Sequence, residues 1–248
     1  MAGHSKWKNI RIRKGKQDAI RGNLFTKLGR EIQVAARMGG ADPDTNLRLR
    51  LAIDKAKENS LPKDNIERAI AKGAGAGEGE NFEELTYEGV ATAGIAFMVD
   101  VYSDNKNRTV SDLRHAFSKQ GGSLSENGSV AWQFRQCGQI VVSRTQGDED
   151  TITMLALDGG ADDVKTDDED VFVIETPVEN FHLCTQALRQ GGIDIQEAQL
   201  TRIATNLAPN PGPDDIARAM RILDALEDLD DVRQTYINIE LPEDEEED

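Results

Sequence analysis

The sequence predicts an α+β protein of several domains: a basic N-terminal three-helix domain, then two layered α+β domains, one inserted in the other. Three observations carry this. Apolar residues recur at helical spacing up to Lys72 and stop at a glycine-rich stretch. Beyond it the period becomes that of strands. One run of strands and helices, complete in itself, then interrupts another.

Charge follows the same division. The formal net charge of the 248 residues is -16, yet residues 1–72 hold 17 Lys+Arg against 8 Asp+Glu, and residues 73–248 hold 12 against 37. Such asymmetry points to a nucleic-acid-contacting module on an acidic body. The first thirty residues concentrate it: Lys6, Lys8, Arg11, Arg13, Lys14, Lys16, Arg21, Lys27 and Arg30 stand against one acid, Asp18. A hydrophobic content of 38% suffices for cores, and no run approaches the ~20 apolar residues a membrane span needs. The N-terminus lacks an apolar signal core, and Cys137 and Cys184 lie far apart and outside metal-ligand spacing, so a cytoplasmic protein with both thiols reduced is expected.

In chain order, residues 2–16 read as an extended basic arm that orders on binding, with Trp7 either stacking on a base or tucked into the domain's core. From Asp18 to Met38 a helix puts Leu24, Phe25, Leu28, Ile32, Ala35 and Ala36 on one side and Lys27, Arg30 and Arg37 on an adjacent one, and Gly39-Gly40 ends it. A second helix opens at Pro43-Asp44 and runs to about Asn59, with Leu47, Leu51 and Ala52 inward and Arg48, Arg50, Lys55 and Lys57 outward. A third starts near Pro62, buries Ile66, Ala69 and Ile70, and stops at Gly73. The glycines of 73–80 follow a helix and lack a GK[ST] sequence, so they form a linker rather than a phosphate loop.

Strands are then expected at Phe82–Val90, Gly94–Tyr102 and Ser129–Arg135, with a helix at Val110–Lys119. Residues 136–205 give strand, helix, two strands, helix and strand in the βαββαβ order of a ferredoxin-like domain. A helix at Pro213–Leu229 and a strand at Thr235–Glu240 complete the interrupted unit, so the domains are 1–78, 79–135 with 206–241, the inserted 136–205, and an acidic tail 242–248.

No constellation for catalysis or metal binding emerges. His4, His115 and His182 are scattered, and neither cysteine has a neighbouring base. One loop stands out: Thr109 with Asp112 reads as a capping box, which leaves Lys106, Asn107, Arg108 and Thr109 at a helix N-terminus where an anion would be favoured. Plain capping is the competing reading.

Several stretches resemble the YebC/PmpR family: Gly3-His-Ser-Lys-Trp7, Arg21-Gly22, Phe25-Thr-Lys-Leu28, Arg30-Glu-Ile32, Asp104-Asn105 with Asn107-Arg-Thr109, Arg114-His-Ala-Phe117, Gly121-Gly122 with Gly128-Ser-Val-Ala131, and Asp228 to Tyr236. The chain departs from the family pattern after Tyr87-Glu-Gly89 and at Ile12, Gly15 and Lys16. The resemblance implies a cytoplasmic three-domain protein with no catalytic residues and no cofactor. It implies a nucleic-acid partner, either DNA, as in the family's transcriptional regulators, or ribosomal RNA, as in its translation factors that act on ribosomes at proline-rich stretches. The nucleic-acid-binding residues expected are Lys6, Trp7, Lys8, Arg11, Arg13, Lys14, Lys16, Arg21, Lys27 and Arg30. A ligand-sensing α+β body is a third reading, resting on fold analogy alone. Oligomeric state is left open by the sequence.

Overall fold

The computed structural model describes residues 21–75 and 82–239. The arm expected over 2–16, most of the glycine linker and the acidic tail lie outside the described residues. The architecture is α+β, with a helical N-terminal region followed by two four-stranded sheets.

The helical region has α1 (Arg21–Gly39), α2 (Leu47–Glu58) and α3 (Lys63–Gly73). Leu28, Ile32, Ala35 and Ala36 of α1 meet Leu49, Ala52 and Ile53 of α2 and Ile66 and Ala69 of α3 in one core, with Leu24, Phe25 and Ile70 packed against it. Gly40 takes a φ of 89° past the end of α1, the left-handed exit expected there. The second helix starts later than Pro43, because Asn46 caps it. Its side chain accepts from the Leu49 N–H and donates to the carbonyls of Ala35 and Gly40, both at 2.8 Å, tying α2 to the end of α1. At Gly73 a Cβ would stand 2.3 Å from the Gln33 carbonyl oxygen and 2.8 Å from the Ala36 Cβ, so glycine is what lets α3 cross α1 this closely.

The first sheet combines β1 (Glu83–Val90), β2 (Ala96–Ser103), β3 (Ser123–Ser125) and β8 (Val232–Ile237) in the order β3-β1-β2-β8, every pair antiparallel. Two helices, α4 (Lys106–Lys119) and α7 (Pro213–Glu227), belong to it. Phe97 of β2 packs edge-to-face on Phe117 of α4, with ring centroids 5.4 Å apart. On the opposite parity of the sheet, Tyr102 and Phe82 pack on Val34 of α1, so β2 is buried on both faces.

Two sequence expectations fail here. Ser129–Arg135 is not a strand of this sheet, although its apolar-polar alternation suggests one. The Glu88 carboxylate gathers the N–H groups of Gly128, Val130 and Ala131 at 2.6–3.0 Å and curls the loop instead. Those bonds outweigh burial and hold the Glu88 carboxyl below its ordinary range. The third strand is the short β3, which follows the Gly121-Gly122 turn. The helix expected at Val110 begins a turn earlier, because Asn105 rather than Thr109 is its cap: the Asn105 side chain accepts from the Arg108 N–H at 3.2 Å.

The second sheet lies wholly within the residues between β3 and α7. It joins β4 (Phe134–Ser143), β5 (Asp163–Lys165), β6 (Val171–Thr176) and β7 (Ile195–Ala204) in the order β5-β6-β4-β7, again all antiparallel. With α5 (Glu149–Asp158) and α6 (Phe181–Gln190) this is the split βαβ arrangement of a ferredoxin-like domain. The described residues divide into two compact units, one taking 21–75, 82–132 and Ala208–Ile237, the other Gln133–Leu207 with Asn238 and Ile239. No helix among the described residues is long and apolar enough to cross a membrane.

Candidate nucleic-acid interface

Among the expected binding residues, Lys6, Trp7, Lys8, Arg11, Arg13, Lys14 and Lys16 lie outside the described residues, and Arg21 is described in its backbone alone. Lys27 and Arg30 of α1 are described, and their charges are used inside the protein. Lys27 is half-buried and donates to the Glu227 carbonyl, at the C-terminal end of α7 where a cation meets the negative pole of the helix. Burial lowers its pKa against the opposing pull of Glu227, Asp230 and Asp228. Arg30 donates to the Asp230 carbonyl at 2.5 Å and to the Asp231 carboxylate at 2.8 Å, and its guanidinium lies 5.0 Å from the centre of the Phe82 ring.

The same is true of the loop expected to hold an anion. The anion that Arg108 and Thr109 hold is the carboxylate of Asp231, bonded by the Thr109 hydroxyl at 2.6 Å and by Arg108 at 3.1 Å. Arg108 also pairs with Asp104 at 2.5 Å, and Lys106 with Glu83 at 2.8 Å. Burial would raise the Asp231 carboxyl, but Thr109, Arg108 and Arg30 hold it below the ordinary range. A cleft of about 310 Å³ opens here, and its wall presents Asp104, Asp112, Asp230 and Asp231 against Arg30 and Arg108. That balance disfavours phosphate.

A second internal network centres on Glu31 of α1. Its carboxylate pairs with Arg48 of α2 at 3.3 Å and with Arg233 of β8 at 2.9 Å, and accepts the Tyr102 hydroxyl of β2 at 2.6 Å. Arg48 reaches on to Glu84 of β1 at 3.2 Å. Burial would raise the Glu31 carboxyl; Arg233, Arg48 and Tyr102 together bring it below its ordinary range. Arg48 is therefore not an outward cation, and Arg50 turns back to the carbonyls of Pro43 and Asp44 at 3.0 and 2.9 Å.

Lys57 and Lys63 are exposed in surface pairs with Asp54 and Glu67, and a further exposed set lacks such pairs. Arg37 of α1 and Arg68 and Lys72 of α3 are exposed and have no polar partner among the described residues. Arg68 and Lys72 are one turn apart on α3, while Arg37 and Lys72 are each one residue from the Ala36–Gly73 crossing. The sequence places Arg37 beside Lys27 and Arg30; only packing separates it from them.

Known proteins agree with this architecture. Residues 82–239 match the family model of the TACO1/YebC second and third domain, and residues 5–76 match that of the TACO1/YebC protein N-terminal domain. The chain belongs to the TACO1/YebC family. Relatives named probable transcriptional regulatory protein come from Thiobacillus denitrificans, 51% identical over 248 residues and covering 98% of this chain and all of the relative, and from Azoarcus, 50% identical over 243 residues with the same coverage. One from Persephonella marina is 47% identical over 241 residues, 97% of this chain and 96% of its own. A solved structure, a conserved hypothetical protein of Aquifex aeolicus, superposes with a TM-score of 0.82 at 41% identity, covering 100% of this chain and 98% of its own. In this TACO1/YebC chain, stretches that carry the family resemblance bond to one another: Thr109 and Arg108 to Asp231, and Glu31 to Arg233.

Proposed function

We propose that this protein is a nucleic-acid-binding regulator of gene expression, cytoplasmic and acting on DNA as a transcriptional regulator. The observation that carries this is the separation of charge: a helical domain and arm rich in Lys and Arg, on a body whose remaining residues hold 37 Asp+Glu against 12 Lys+Arg. Full-length relatives named probable transcriptional regulatory protein support transcription as the process. In this reading the arm supplies most of the affinity through phosphates, with Lys6, Lys8, Arg11, Arg13, Lys14, Lys16 and Arg21 as its cations and Trp7 able to stack on a base. The acidic body stays off the polyanion and faces protein.

Duplex binding measured across a salt series tests it. Neutralising Lys6, Lys8, Arg11, Arg13 and Lys14 together should lower the slope of log affinity against log salt by about 0.9 for every phosphate left without its cation. A sequence preference that survives competitor DNA is expected of the intact chain. An unchanged slope removes the arm from the interface, and sedimentation with ribosomes without retention on duplex DNA replaces the DNA reading with a ribosomal one.

A further inference from the structure

The ferredoxin-like domain carries an outward surface that its own fold does not need. Half of the large apolar side chains left exposed among the described residues fall on its helical layer: Met154 and Leu157 on α5, Leu183 on α6, and Val178 just before it. The cause is local. Helix α5 is apolar on every side, so burying Ile152 and Ala156 leaves Met154 and Leu157 outside at 66% and 54% exposure. The two helices are held side by side, since a Cβ on Gly159 would lie 2.5 Å from the Cys184 Cα and one on Gly191 2.5 Å from a Leu155 methyl. Met154 and Leu157 lie on the side of α5 away from buried Ile152 and Ala156, and Leu183 on the side of α6 away from buried Phe181 and Leu188, so each helix presents apolar side chains outward.

Around them the charge is mostly negative, Arg189 near the end of α6 being an exposed cation. Residues 136–205 hold 14 Asp+Glu against 4 Lys+Arg, and α5 has no cation at all. Asp150 and Asp158 on α5 and Glu179 ahead of α6 are exposed and have no side-chain partner among the described residues, unlike Glu175, which Arg135 and Lys165 neutralise. An apolar centre within a rim of unpaired charge is the anatomy of a protein interface, and the rim selects the sign of what it meets.

We propose that the outer face of α5 and α6 docks a positively charged protein, whose apolar anchor seats on Met154, Leu157 and Leu183 while its Lys and Arg side chains face Asp150, Asp158 and Glu179. Nucleic acid is excluded by like charge. A second copy presenting this same face would set two acidic rims against each other.

The test places a photoreactive benzoylphenylalanine at Gln186, an exposed α6 position outside the apolar set, in the full chain in cells. Each captured protein is identified, purified and titrated against the unmodified full chain. The proposal expects a basic partner whose affinity falls by about tenfold or more in the Met154→Ser/Leu157→Ser/Leu183→Ser variant. The Asp150→Asn/Asp158→Asn/Glu179→Gln variant should weaken binding and flatten its salt dependence. Circular dichroism melts of both variants should match the parent, because the altered side chains are exposed. Capture of a second copy alone, of no protein, or of a partner whose affinity neither variant changes overturns the proposal.

Discussion

Two sets of cations share the helical domain, and they have opposite fates. Lys27, Arg30 and Arg48 reach carbonyls and carboxylates of the first sheet and its helices, whereas Arg37, Arg68 and Lys72 carry their charge into solvent. The difference arises from helix rotation, since a side chain at another position along α1 looks onto a different neighbour. Net charge therefore overstates what a phosphate can meet. Part of the domain's positive charge is the means by which it is fixed to the sheet.

The largest expected effect comes from breaking the internal set at its centre. Glu31 is one-fifth exposed, and Glu31→Gln leaves Arg48 and Arg233 facing each other without the charge that reconciles them. Removing one member of a buried ionic network costs ~3–5 kcal/mol, and partial exposure reduces this to about 2–4 kcal/mol here. Denaturant titration at pH 7 should show the loss. Because the folded carboxyl is held below its ordinary value, its contribution is fully present above about pH 4.3 and disappears as pH falls through the lower folded value. The variant should lack that part of the parent's acid destabilisation. Equal stabilities at pH 7 with identical acid limbs would dissolve the distinction between the two sets.

What the sequence could and could not convey follows the same line. The core faces of α1 and α3 and the βαββαβ order were legible, because burial and period are local properties of a segment, whereas on α2 it is Leu49 and Ile53 rather than the expected Leu51 that join Ala52 in the core. The loop at Gly128–Ala131 was not, since its shape is set by Glu88, forty residues earlier, and nothing within the loop shows that carboxylate. The preference of Arg108 and Thr109 for an anion was legible as chemistry, but the carboxylate they hold arrives from Asp231, more than a hundred residues away. Lys27 and Arg30 had the composition of a binding face and the neighbours of a structural one. In each case the missing information was the long-range partner.

An intermediate effect is expected where the exposed set is positioned. Gly73→Ala puts a methyl 2.3 Å from the Gln33 carbonyl, a backbone atom that yields only if α3 shifts along α1. Overpacking of this kind costs ~1–3 kcal/mol. If the crossing also sets the spacing of Arg37 and Lys72, duplex affinity should fall more than the loss of stability explains; retention of full affinity in the folded variant would show that the spacing is unimportant.

The smallest effect on stability and the sharpest on function belong to the exposed set itself. Arg37→Gln, Arg68→Gln and Lys72→Gln combined remove no hydrogen bond or ion pair among the described residues, so stability should stay within about 0.5 kcal/mol of the parent. The salt slope of duplex binding should nonetheless fall by about 0.9 for each phosphate that these side chains neutralise in the parent. Lys27→Gln supplies the opposite signature: a weaker fold, because the end of α7 loses its cation, and an unchanged slope. If instead Lys27→Gln lowers the slope and the triple variant does not, α1 meets phosphate on the side that faces the sheet. The domain would then have to separate from the sheet before it binds, and the Glu31 and Asp231 networks would be what holds it closed.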